Sequence, residues 1–503
     1  MATNPRPQDI QAAIQALNSG QLNMAETLSK KLIQQHGDIF ILYHILSLAL
    51  DGQEKYAEAA SSYRKAIKLQ PGTPELYFNL GIVLGHLDQL EEAEACYIEA
   101  TRLNPRFFEA YGNLGTLYQR QGKLNDAIQS YQKGLHINPQ DPRGHFNLGT
   151  ALRDEGRLDD AISHFREAIG LFPNYADAHN YLGECLRDQG NMEDAIKSYQ
   201  DALAIYPEHP GANYNMAEFL YLAQRFDEAI PHFETSRLDD WQERSMYCLY
   251  KAKRFDEFKT KLDEIVKTTK HTAPFMATLS SHYATNFNVE DPYNFCKNGF
   301  DFVYQKAIPE LADPNSPLLK QLLNDIQTIE IEARAQAMII NGKQSAGNLF
   351  KRPEESFRRL GELVRREFLN YKQKFAGADC ELIKSFPTEL EFTSSWYVKL
   401  RKGGYVDKHI HEIGWISGAV YLQIPKHRID PTEACFEYGL HGDNYPKLHE
   451  NFPSEIVSPK PGDIVLFPSS LFHRTIPFNS EEERICVAFD LKPQGDIFRR
   501  SAY

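Results

Sequence analysis

Alanines at positions 25, 59, 93, 127, 161, 195 and 229 recur every 34 residues, a period that constrains the fold more than any other feature of the chain. Aromatics follow the last six by four positions: Tyr63, Tyr97, Tyr131, Phe165, Tyr199 and Phe233, with Ser29 in that place in the first unit. Pro71, Pro105, Pro139, Pro173 and Pro207 keep the same spacing, as do Leu80-Gly81, Leu114-Gly115, Leu148-Gly149 and Leu182-Gly183. Such registration over several residue types requires one supersecondary piece copied along the chain. The small residues let two helices cross closely, the aromatic fills the gap between neighbouring pairs, and proline stops the second helix. About seven units fit between Pro7 and Asp240.

This pattern resembles the tetratricopeptide repeat, whose period is the same. The resemblance implies an all-α superhelix over residues 1–240 with a concave face that binds a partner. The residue before each Leu-Gly pair is Asn79, Asn113, Asn147 or Tyr181, and Asn215 precedes Met216-Ala217. Asparagine is a poor helix former, so propensity does not explain the series. A carboxamide carries one acceptor and two donors and can hold a peptide backbone whatever its side chains. The row is similar to the asparagine ladder of O-linked N-acetylglucosamine transferases, and the expected partner is a peptide or protein. The competing reading is a consensus residue on a solvated face.

With 503 residues the chain should form more than one domain. A net charge of −13 disfavours a general nucleic-acid binder, which needs a basic face. No apolar run approaches the ~20 residues of a membrane span, and Met1 to Pro7 lack a basic and apolar leader. Seven scattered cysteines without a Cys-x-x-Cys pair suit a reducing cytoplasm. The expectation is a cytoplasmic protein with no membrane or nucleic-acid partner.

Residues 241–324 lose the repeat register and read as a helical connector, with helical patterns at Phe255–Phe258 and Phe300–Lys306 and breaks at Asp291-Pro292 and 313–317. Strand signals fill 325–503: Ile329–Ile340, Thr393–Leu400, Ile416–Ile424, Cys435–Tyr438, Ile464–Phe467 and Arg484–Leu491. One helix interrupts them from about Glu354 to Phe375, with Phe357, Leu360, Leu363, Val364, Phe368 and Tyr371 forming its apolar stripe.

In this last third, His409 and His411 flank a single residue, so on an extended segment both point the same way. His473 lies in a segment that follows the turn Pro459-Lys460-Pro461-Gly462-Asp463, and Arg484 opens the last apolar strand. A close histidine pair, a distant histidine and an arginine are the parts of a non-heme iron site that also binds a dicarboxylate. Asp407 shares parity with both histidines, which leaves an Asp407/His409 pairing open beside the three-histidine set; Glu412 points away on a continuous strand. Gln344, Asn348, Trp396, Tyr397 and Tyr421 are candidates to line the site. His427, His441 and His449, in the Pro- and Gly-rich loop 425–453, read as surface or lid residues.

From Ile329 to Leu491 the chain resembles the iron(II)/2-oxoglutarate oxygenases, whose fold is the double-stranded β-helix or jelly roll. Tyr405-Val406-Asp407-Lys408 leading to His409-Ile410-His411, the distal His473 and Arg484 carry the resemblance. His411 stands where most members have a carboxylate. The resemblance implies Fe(II) on His409, His411 and His473, and 2-oxoglutarate held by Arg484 with Tyr421 and Gln344 beside it. The expected activity is hydroxylation of a peptide or protein recruited by the repeats, at Asn79, Asn113, Asn147 and Asn215. Two other readings stay open: a three-histidine cupin-like dioxygenase acting on a small molecule, and a non-catalytic repeat scaffold.

Overall fold

The computed structural model describes residues 5–238, 240–328, 333–334, 338–442 and 444–492. They form two compact units, divided between Phe219 and Leu220.

The first unit is all helical. After Pro7–Asn18 and Leu22–His36 come the pairs Phe40–Asp51 with Tyr56–Leu69, Pro74–His86 with Leu90–Leu103, and Phe108–Arg120 with Leu124–Ile137. Pro142–Asp154 with Leu158–Leu171 and Ala176–Asp188 with Met192–Ile205 follow, then Pro210–Leu222. The periodic alanines are fully buried. The periodic aromatics are buried too, and they touch the next pair, as Tyr63 does at Asn79, Tyr97 at Asn113 and Phe165 at Tyr181. Four of the six rings also lie on the glycine of their own helix pair. A Cβ added at Gly81, Gly115, Gly149 or Gly183 would sit 2.6, 2.6, 2.9 or 2.5 Å from Tyr97, Tyr131, Phe165 or Tyr199. The Leu-Gly pair is therefore the socket for the ring sixteen residues later, and close packing forbids a larger residue there.

Two more periodic devices are backbone features. Positions 20, 54, 88, 122, 156 and 190, again 34 apart, all have φ between +58° and +83°. Glycine occupies four of them, and Glu54 and Asp88 take the left-handed turn at a cost glycine would avoid. Each proline follows its helix by two residues, and the Pro139, Pro173 and Pro207 carbonyls accept from His145, His179 and Asn213 at 3.1, 3.1 and 2.8 Å.

The second unit begins with helices Phe226–Ser236, Trp241–Lys251, Phe255–Thr268 and Pro274–Phe287. The segment Phe300–Lys306, expected to be helical, is instead a 3-10 turn at Gly299–Phe302 followed by strand β1, Tyr304–Ala307. Its aromatics Phe300, Phe302 and Tyr304 fall on every second residue, and β1 pairs antiparallel with Asp463 to Leu466. The remaining strands are β2 Ala333–Arg334, β3 Ile339–Ser345, β4 Phe392–Val406, β5 Ile416–Gln423, β6 Phe436–Gly439, β7 Ser454–Val457, β8 Asp463–Pro468, β9 Phe472–Thr475 and β10 Arg484–Leu491. The expected strand from Ile329 lies partly outside the described residues. β1-β8-β5-β10-β4-β3-β2 form one sheet and β7-β6-β9 a second, with every pairing antiparallel. Val398, Tyr421, Phe436, Tyr438 and Phe467 share the core between the sheets, the arrangement of a jelly roll.

Helix Glu355–Lys374 buries all six residues of its predicted stripe. Phe368 meets Phe392 and Phe489 at ring-centroid distances of 5.7 and 6.0 Å, so the helix braces the back of β4 and β10. The fold class is thus a tetratricopeptide-type helical array followed by a double-stranded β-helix domain. No helix among the described residues is long and apolar enough to cross a membrane.

Candidate metal centre

β4 ends at Val406, and the chain then carries His409 and His411 past the end of β9. His409 and His473 exchange both backbone hydrogen bonds, at 3.1 and 2.9 Å. That antiparallel bridge fixes two distant segments at the two histidines themselves. Among the described residues, one group of three or more His, Cys, Asp or Glu side chains could share an ion: His409, His411 and His473, with ligand atoms all within 4.8 Å of one another. The ring centroids stand 4.3, 4.9 and 5.1 Å apart.

Each ring is held through Nδ1. His409 Nδ1 donates to the Asp407 carbonyl at 2.7 Å, His473 Nδ1 to the Leu471 carbonyl at 3.2 Å, and His411 Nδ1 to Asp490 Oδ1 at 2.5 Å. With hydrogen on Nδ1, each Nε2 keeps its lone pair, and those of His409 and His411 face each other at 3.1 Å. Burial pushes His409 down to about 4, helped by the neighbouring His411, and pushes His473 well below the usual histidine range. For His409 and His473 the neutral ring that a metal requires is thus the favoured form. The donor set fits a divalent transition-metal ion that prefers imidazole.

Asp407 stands apart from this group. It is exposed, it spends its carbonyl on His409, and its carboxylate accepts from the Lys408 N–H at 2.8 Å. Glu412 pairs with Arg244 at 3.1 Å. The loop histidines are also elsewhere: His441 meets His282 at 2.9 Å and His449 meets the Thr285 carbonyl at 3.1 Å, both on helix Pro274–Phe287.

The histidines open on a cavity of about 310 Å³ that Arg484, Tyr421, Gln344 and Trp396 also line. Arg484 is 2 % exposed, yet no carboxylate among the described residues pairs with it. Its guanidinium donates to the Ala434 carbonyl at 3.1 Å and lies 5.1 Å from the centre of the Tyr421 ring. Burial raises the Tyr421 phenol, and Arg484 opposes that rise. A buried guanidinium without a counter-ion is costly unless a ligand supplies one. Asn348 serves the fold: its Oδ1 accepts from Ser395 Oγ at 2.6 Å and from the Phe350 N–H at 3.1 Å. Tyr397 lends its N–H to Ser345 Oγ at 3.1 Å.

Sequence reasoning missed Asp490, although β10 carried the signal. Arg484, Cys486, Ala488 and Asp490 alternate along the strand and all line the cavity. The parity that puts Arg484 inward puts Asp490 inward as well. Lys408, Glu437 and Arg474 were missed too. Glu437 is buried and binds Lys408 at 2.7 Å and Arg474 at 2.6 Å, tying together the neighbours of His409 and His473.

In the first unit Asn79, Asn113 and Asn147 are half-buried, with Asn79 beside the Tyr63 side chain and Asn113 beside Tyr97. Asn215 is engaged: its amide donates to Asn180 Oδ1 at 3.0 Å and Glu184 Oε1 at 3.2 Å, and its Oδ1 accepts from Arg187 at 3.2 Å.

Residues 394–490 match a protein family described as "Putative 2OG-Fe(II) oxygenase", and residues 9–234 match the family "Cilia and flagella-associated protein 70 C-terminal domain". The chain therefore joins a tetratricopeptide-like region to a C-terminal domain of the 2-oxoglutarate/iron(II) oxygenase type. A comparison with curated proteins gave no match. Among solved structures, the chain is similar to YrrB, described as a tetratricopeptide-repeat protein with an unusual peptide-binding site: 26% identity over 37% of this chain and 95% of that one, TM-score 0.33. It is also similar to PilF of Pseudomonas aeruginosa, at 19% identity over 42% and 96%, TM-score 0.38. A repeat protein of Cytophaga hutchinsonii matches at 17% identity over 45% and 93%, TM-score 0.40.

Proposed function

We propose that the protein is an iron(II)- and 2-oxoglutarate-dependent dioxygenase that hydroxylates a peptide or protein recruited by its repeats, in the cytoplasm. One observation carries the reading: three imidazoles converge in a cavity that also holds a buried arginine with no carboxylate partner among the described residues. His409, His411 and His473 would hold iron(II) through Nε2. Arg484 would take the far carboxylate of 2-oxoglutarate in a bidentate grip, with Tyr421 stacked beneath its guanidinium and Gln344 offering an amide nearby. When bound, the metal supplies oxygen activation.

The chain's own residues do the rest. Backbone carbonyls and Asp490 fix the three imidazole tautomers. Phe436 and Phe467, with ring centroids 5.7 and 4.6 Å from that of His473, keep water from its far side. Trp396, with its ring centroid 5.6 Å from that of His411, forms a wall against which a substrate group would be placed. Functionally we divide the chain into recruitment by 1–240, a connector at 241–324 and chemistry in 325–503.

The three-histidine donor set favours a second reading, a cupin-like dioxygenase acting on a small molecule. Arg484 speaks for 2-oxoglutarate, and release of succinate separates the two. Purified protein should bind one iron(II) per chain under anaerobic conditions, and His409→Ala/His473→Ala should abolish binding. Unchanged iron stoichiometry in the double variant would remove the metal centre from these residues.

A further inference from the structure

The three histidines are not held alike. His409 and His473 lean on neutral carbonyl oxygens, whereas His411 leans on a carboxylate. Asp490 is 7 % exposed and lies on β10 between two serines, in register with Ser417 of β5 and Ser394 of β4. Ser417 Oγ donates to Asp490 Oδ1 at 2.6 Å and meets Ser469 Oγ at 2.7 Å. Ser394 Oγ is 3.5 Å from Asp490 Oδ2. Among the described residues Asp490 has no lysine or arginine partner, and its one ion-pair contact is His411.

The surroundings are shaped for this cluster. A Cβ added at Gly414 would sit 2.6 Å from Ser469 Oγ and 3.3 Å from both Asp490 Oδ1 and Ser417 Oγ, so glycine there leaves the serines and the carboxylate their places. A buried carboxylate stabilised by hydroxyls and one imidazole N–H is expensive unless positive charge stands close by. The charge it can serve lies across the His411 ring, where the three Nε2 atoms converge. Three imidazoles are a neutral donor set. Asp490 supplies an anion one ring away from the ion.

We propose that Asp490 is a positioning residue that fixes His411 with its hydrogen on Nδ1 and lends the site, through that ring, the negative charge that a carboxylate ligand would give directly. Ser417, braced by Ser469, sets the direction of the carboxylate. The inference rests on the histidine centre proposed above. A carboxylate behind a metal-bound histidine raises the basicity of the ligand and locks its orientation, and its loss typically weakens metal binding by about 10–100-fold.

Cobalt(II) alone is the probe, added to metal-free full-length protein, because imidazole sites hold it more tightly than iron(II). The parent should bind one cobalt(II), read by calorimetry and by its visible absorption. Asp490→Asn can still accept from His411 Nδ1–H but loses the charge. It should bind cobalt about 10–100-fold more weakly with an altered absorption band, and should melt like the parent when metal-free. Asp490→Ala should bind more weakly still, and Ser417→Ala should lose a few-fold. In a His411→Ala background, Asp490→Asn should cost nothing further, because its route to the metal is gone.

Parent-like cobalt affinity in Asp490→Asn overturns the inference. A further loss in the His411→Ala background, equal to that in the parent, overturns it too, since a merely structural role would be additive. If Asp490→Ala does not fold, Asp490→Asn and the His411→Ala pair decide. A parent that binds no cobalt fails at the earlier step and removes the histidine centre itself.

Discussion

The two units solve the problem of specifying structure at opposite ranges. In the array, a residue's decisive partner is a short way along the chain: the ring of Tyr97 sits on Gly81, and His145 reaches the carbonyl of Pro139. In the barrel, the decisive partners are far apart. His411 and Asp490 are separated by 79 residues, Ser417 and Ser469 by 52, and His409 pairs backbone to backbone with His473. An array built from local contacts spreads its stability over repeated, nearly equivalent interfaces, and its binding energy can be spread likewise. A barrel brings single side chains from several strands to one point, so each of them is irreplaceable. Damage should therefore be graded in the first unit and abrupt in the second.

The largest effect of a single side chain should come from Arg484→Ala. Arg484 is the buried cation of the cavity, and no carboxylate of the described chain competes for it. Truncating one partner of a desolvated charge pair costs about 2–5 kcal/mol. The affinity for 2-oxoglutarate should accordingly fall by roughly 30-fold or more. Arg484→Lys should recover part of the loss, keeping the charge without the planar fork. Titration of manganese-loaded protein with 2-oxoglutarate measures both. An unchanged affinity in Arg484→Ala would mean that Arg484 is not the clamp, and that the barrel tolerates loss as the array does.

The same contrast in range explains what could be read from the sequence. Repetition made the array legible: the buried Ala25 to Ala195 series and the helix-stopping prolines stand in register in the chain. The left-handed turn at Glu54 and Asp88 escaped, because its period lives in the backbone while the residue type varies. In the barrel, β5, β8 and β10 were visible as apolar runs, since both of their faces are covered. Strands β1 and β7, mostly exposed edge strands of four residues, gave no such signal. The expected histidines do converge, and spacing alone identified the pair His409 and His411 as facing one way. Asp490 escaped because its partner lies in another strand, and pairing register is a tertiary property. The asparagine series was found by period alone. The structure leaves Asn79, Asn113 and Asn147 half-buried and engages Asn215 with Asn180 and Glu184.

That difference among the asparagines sharpens the next expectation. A neutral hydrogen bond contributes about 0.5–1.5 kcal/mol net, so one Asn→Ala change should be mild. Asn79→Ala, Asn113→Ala and Asn147→Ala together should weaken binding of a long peptide substrate by about two orders of magnitude. Asn215→Ala should instead disturb its own network with Glu184 and Arg187. None of the three half-buried asparagines lines the histidine cavity, so the loss should fall on KM with kcat unchanged. A truncated peptide that engages the cavity alone should not respond. Equal KM values for parent and triple variant on the long substrate would return these residues to the role of consensus surface positions.

The smallest effect should divide the two units most cleanly, because the same chemical change is made in each. In Gly183→Ala the new methyl would stand 2.5 Å from a Tyr199 ring carbon and 3.1 Å from the Ala195 carbonyl. In Gly418→Ala it would stand 2.6 Å from Leu466, 2.8 Å from Phe489 and 2.8 Å from the Val465 carbonyl. Overpacking of this kind costs about 1–3 kcal/mol in either place. The consequences should differ. A repeat contacts chiefly its neighbours, so the strain at Gly183 should be absorbed locally, lowering the melting temperature and leaving cobalt(II) affinity alone. Gly418 lies on β5 next to Ser417, across from Leu466 of β8 and Phe489 of β10. Strain there pushes apart the two strands that flank β5, and with them Asp490 and the approach to His473. Gly418→Ala should lower the melting temperature and the cobalt(II) affinity together. Calorimetric unfolding and cobalt titration of the two variants suffice. If Gly183→Ala costs as much metal affinity as Gly418→Ala, local and long-range specification do not separate along this chain, and the contrast between its halves fails.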